Sequence, residues 1–78
     1  MWVKIERDLS VNIDRFETLL VRQWQPAVYT LEVVTELGGG DSKELAKRTG
    51  IDSKTEIKRL ERLILNGLAE GRQFVDLT

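Results

Sequence analysis

The stretch Ser42–Leu68 reads SKELAKRTGIDSKTEIKRLERLILNGL, and its reading decides the fold. Asp41 stands before it as a helix N-cap, with Glu44 three residues on as its capping-box partner. That pattern predicts a short helix up to Arg48 or Thr49, closed by Gly50 as the left-handed residue after a helix. Ser53 then repeats the signal with Glu56, and a longer helix is expected to run to Gly67. Two helices joined by a glycine turn make a helix-turn-helix. Ala46 is small where the two would approach. Ile51, Leu60, Leu63 and Leu68 would anchor the pair to a helix expected upstream at 27–37.

Upstream, Val28, Leu31, Val34 and Leu37 form one stripe and predict a helix over 27–37, although Val and Thr lower its propensity. Gly38, Gly39 and Gly40 would stop it and serve as a flexible connector. They lack the Gly-Lys-Ser/Thr of a phosphate-binding loop. Further back, Leu9, Ile13, Phe16, Leu20 and Trp24 recur at helical spacing and predict a first helix, ended by Pro26. The opening MWVKIER alternates enough to suggest a short strand. At the other end, Glu70-Gly71-Arg72 reads as a turn, and Phe74 and Val75 as part of a small terminal hairpin. The expected fold is mainly α with a small β-hairpin. One domain is expected over 1–78, with 1–25 an N-terminal extension and 26–78 the core.

Composition narrows the function. The chain has 78 residues, 41% of them apolar and 32% charged, which suits a small folded domain. It has no Cys, so disulfides, thiolate metal sites and cysteine nucleophiles are excluded. It has no His, the commonest general base and transition-metal ligand. Paired carboxylates such as Asp14 with Glu17 and Glu32 with Glu36 fit polar helix faces, and no base-activated nucleophile accompanies them. The chain is therefore expected not to be an enzyme and to use no cofactor or metal. No signal peptide or membrane span is evident, and a cytoplasmic location is the expectation.

On a helical wheel at about 100° per residue, Lys54, Thr55, Lys58, Arg59, Arg62 and Asn66 fall opposite the apolar side of the last helix. Lys54, Lys58 and Arg62 stack at i, i+4 and i+8. Like-charge pairs at that spacing cost an isolated helix roughly 0.2–0.5 kcal/mol each. Lys54 also sits at the positive end of the helix dipole. An external anion would relieve both penalties, and a phosphate backbone is the obvious one. Segment 41–62 has seven basic and five acidic residues, a net +2 within a chain of net −1.

ELAKRTGID, IKRLERLILNGLAEG and QFVDLT together resemble the winged helix-turn-helix family, of the MarR/ArsR type of prokaryotic or archaeal transcription regulators. The resemblance covers about two-thirds of the chain, from Val28 to Thr78. It implies a winged helix-turn-helix with an N-terminal helical extension, binding double-stranded DNA as a homodimer. The helix at 53–66 would enter a major groove, with Lys54, Thr55 and Lys58 near base edges. Arg59, Arg62 and Lys47 would meet phosphates and Arg72 would anchor the wing. Phe16, Leu20 and Trp24 would form a dimer interface or pack into the core. The alternative reading is a protein–protein interaction or assembly module. Glu56, Glu61 and the broad apolar side given by Ile57, Ile64 and Leu65 speak for it.

Overall fold

The computed structural model describes residues 1–35 and 41–78, and it is built mainly of strands. In chain order these are β1 (Trp2–Glu6), β2 (Leu9–Asn12), β3 (Thr18–Gln25), β4 (Val28–Val34) and β5 (Ser42–Thr49), then helix α1 (Ser53–Glu70) and β6 (Phe74–Asp76). A single 3-10 turn, Ile13–Arg15, links β2 to β3. The mainly α expectation is thus corrected. Among the described residues α1 is the only α-helix, and both the helix-turn-helix and the N-terminal helical extension give way to sheet.

The strands form two three-stranded sheets, ordered β2-β1-β6 and β3-β4-β5. Residues 18–34 make a hairpin, with Pro26 in its two-residue turn, where a fixed φ is useful. β-branched and aromatic residues fill β4 (Val28, Tyr29, Thr30, Val33, Val34) and suit a pleated surface better than a helix. The segment 42–49 also departs from expectation. It pairs antiparallel with β4 from Val28↔Thr49 to Val34↔Ser42, so its helix-forming residues are held extended by that ladder. The predicted strand in MWVKIER is present as β1. The terminal hairpin is not formed, because β6 pairs parallel to β1 instead. The rest of the expected helix at 27–37, the Gly38–Gly40 connector and Glu36 of the Glu32–Glu36 pair fall on 36–40, outside the described residues, while Glu32 lies on β4.

The helix α1 buries one narrow stripe, Ser53, Ile57, Leu60, Ile64 and Gly67. It shares the core with Leu31, Val33 and Leu45 of the second sheet, Val3 and Val75 of the first, and Leu77 just past β6. Burying a side chain such as Leu60 or Ile64 contributes about 1.5–3 kcal/mol. Three sequence readings shift here. Ile51 is fully exposed in the turn before α1, and Leu63 and Leu68 are partly exposed, so none is an anchor. Ser53 lies inside the helix rather than capping it. Its hydroxyl lies 2.7 Å from the Gly50 carbonyl oxygen and 3.1 Å from that of Ala27, tying the helix start to the β3–β4 turn. The helix runs past Gly67 and closes on Gly71, whose φ of 72° is left-handed.

Candidate functional site

Two separate faces carry the polar side chains of interest. The first is the solvent side of α1. Its narrow buried stripe leaves Lys54, Thr55, Lys58, Arg59 and Arg62 exposed, and these five line one shallow, open depression along the helix. At 1.5 Å rise per residue, Lys54 to Arg62 spans about 12 Å. Lys58 lies 3.6 Å from Glu61, a weak exposed pair. Glu56, on the flank, turns to Arg48 of β5 at 3.5 Å. Among the described residues Lys54, Arg59 and Arg62 have no ion-pair partner. The arc is therefore a cluster of cations with little local neutralisation.

The structure brings together five of the seven residues expected at DNA. Lys47 is on β5, opposite Thr30, on the face of the second sheet that α1 does not cover. Arg72 lies beyond Glu70, the last residue of α1, which is about 24 Å along the helix from Lys54. Its Nε donates to Glu70 at 2.7 Å. With no hairpin there, no wing is formed for it to anchor. The three residues expected at a dimer interface also separate. Phe16 is half-buried against the core. Leu20 and Trp24 lie on β3, not on a helix.

The second face is the outer side of the β3-β4-β5 sheet. Along β4, Tyr29, Leu31 and Val33 point to the core, and Thr30 and Glu32 to the opposite side. Trp24 is the extra residue of a β-bulge: Gln23 pairs with Tyr29 and Gln25 with Val28, and Trp24 has no partner. Bulges of this kind re-aim a side chain. The Trp24 indole N–H donates to the Thr30 hydroxyl at 2.9 Å. That hydroxyl donates to Glu32 Oε2 at 2.8 Å, and Arg22 Nε donates to the same oxygen at 3.0 Å. The Arg22 guanidinium also lies over the indole, 5.2 Å from its centroid, within cation–π range. Glu32 has only 10% of its side chain exposed, so its charge is held by the Arg22 pair and the hydroxyl. A second bulge, at Leu45, turns Glu44 to this same face, opposite Glu32.

Sequence reasoning missed this network. Its signal was present as Arg22-x-Trp24 and Thr30-x-Glu32, a period of two on either side of Pro26. Elsewhere, the Thr78 hydroxyl and its backbone N–H hold the Asp76 carboxyl below the usual carboxylate range, with Lys4 adding to the effect. Among the described residues no group of His, Asp or Glu is placed to hold a metal ion, and no helix is long and apolar enough to cross a membrane. No protein-family model, curated protein or solved structure matches the chain.

Proposed function

We propose that this protein binds double-stranded DNA in the cytoplasm, through the solvent face of α1. The observation that carries the reading is the cluster of Lys54, Lys58, Arg59 and Arg62 on one exposed arc, where among the described residues only Lys58 has an ion-pair partner. A major groove about 12 Å wide admits a single helix. Lys54, Thr55 and Lys58 would face base edges, and Arg59 and Arg62 would meet phosphates. The resemblance that suggested transcription regulation rested on a helix-turn-helix. With that motif replaced by sheet, the proposal is confined to DNA binding.

The test is fluorescence anisotropy of a labelled duplex at two salt concentrations. Binding should weaken steeply with salt, with a slope of log affinity near −0.9 per phosphate contacted. Lys58→Ala and Arg62→Ala should each weaken binding severalfold and flatten that slope, with an unchanged circular dichroism spectrum. Normal duplex affinity in both variants would overturn the assignment of the face. One observation favours a second reading, a protein–protein module: Leu65 stands half-exposed beside the cationic arc. Binding to a protein partner through that residue would change little with salt.

A further inference from the structure

Arg22 and Thr30 satisfy the buried Glu32 carboxylate, whereas Trp24, at the end of the network, adds little to stability. Trp24 is 60% exposed, and an indole left in water contributes little burial. Yet three side chains are committed to it. Thr30 fixes its N–H, Arg22 covers a face, and the largely buried Glu32 holds both of those in place. The Thr30 hydroxyl accepts from one neighbour and donates to the other, so the chain is a connected one that rigidifies its end. A ring presented to solvent at a fixed angle is preorganised for a ligand, since ordering it on binding costs little more.

Trp24 also lines a depression of about 390 Å³ with Gln25, Val28, Thr30, Glu44, Lys47 and Thr49. Arg22, which lies over the indole, is not among the residues that line the depression. Lys47 has no ion pair among the described residues. The register sets Lys47 opposite Thr30 and Glu44 opposite Glu32, so cation and carboxylate stand at different points along β5.

We infer that this depression binds an unpaired nucleotide of a single-stranded nucleic acid. The base stacks on the open surface of Trp24, and Lys47 meets its phosphate. Stacking on an aromatic side chain beside a cation is the general chemistry of such binding. A neutral sugar would use the ring but not the ammonium. Glu44 accepts from an exocyclic amino group, which favours cytosine, adenine or guanine over thymine. The site is on the side of the sheet opposite α1 and does not rest on the duplex reading.

The experiment uses the full chain carrying Trp2→Phe, which leaves Trp24 as its one tryptophan. A short oligodeoxycytidylate is titrated while tryptophan emission is followed, with an abasic strand of equal length and a neutral oligosaccharide as controls. Saturable quenching by the oligodeoxycytidylate alone is expected. Lys47→Ala should weaken it severalfold. Trp24→Ala, read by anisotropy of a labelled strand, should weaken binding about tenfold or more. The same quenching should persist when Lys58→Ala and Arg62→Ala are added. Equal quenching by the abasic strand, quenching by the oligosaccharide alone, or loss of quenching in the helix variants would each overturn the inference. The last outcome would place the strand on α1 and leave the duplex proposal standing.

Discussion

Gly67 shows how one position weighs two opposed effects. Inside an exposed helix, glycine is less favourable than alanine by about 0.5–1 kcal/mol, so Gly67→Ala should help α1 by itself. Here a Cβ would lie 2.7 Å from Val75 Cγ2 and 3.3 Å from Met1 Sδ. Val75 is β-branched on a strand and cannot swing away freely. Overpacking of this kind costs about 1–3 kcal/mol, which exceeds the gain. Gly67→Ala should therefore lower the melting temperature. A rise in thermal unfolding would mean that β6 yields to the helix. The same position explains a misreading. In the sequence Gly67 resembles a helix stop, but its function is close approach, and Gly71 supplies the stop.

At the scale of elements, α1 was legible and the strands around it largely were not. The stripe Ile57, Leu60, Ile64 uses steps of three and four, which only a helix satisfies. Leu20 and Trp24 are spaced by four, and that interval also keeps residues on one face of a strand. The spacing was therefore neutral, and the β-branched residues around it carried the information. Segment 42–49 is a harder case. Its Glu, Leu, Ala, Lys and Arg favour helix locally, but eight residues are too few for an independent helix, and the β4 ladder decides. The cationic arc was readable because it depends only on α1. The Trp24 face was not, because it needs β3, β4 and β5 side by side. Ser53 is where strand and helix are joined, and it is 2% exposed. Ser53→Ala removes a buried hydroxyl that bridges to the β3–β4 turn, and should cost about 1 kcal/mol or somewhat more in urea unfolding. No change in the urea midpoint would mean that the turn holds the helix start through the Gly50 N–H to Ala27 bond alone.

At the scale of the whole molecule, the first and last strands close the fold. β1 lies between β2 and β6, and its pairing with β6 is parallel, so the rest of the chain must form the crossover between them. The Leu77 N–H donates to the Lys4 carbonyl, and the Trp2 N–H to that of Gln73. Val75 and Leu77 then enter the same core as Ile57, Leu60 and Ile64. A domain of this size has a net stability at the low end of about 5–15 kcal/mol. Losing two buried aliphatic side chains, at about 1.5–3 kcal/mol each, together with the β1 ladder, would remove most of it. Deleting residues 74–78 should abolish cooperative thermal unfolding. Phe74→Ala should barely move the transition, because that side chain is half-exposed on the outer face. The deletion should also abolish both proposed activities together. The cationic arc stands on one side of the β3-β4-β5 sheet and Trp24 on the other, and the core that fixes α1 to that sheet is shared. If the shortened chain still melts cooperatively and binds duplex, then α1 and the second sheet form a self-sufficient unit, and β1 and β6 serve something other than stability.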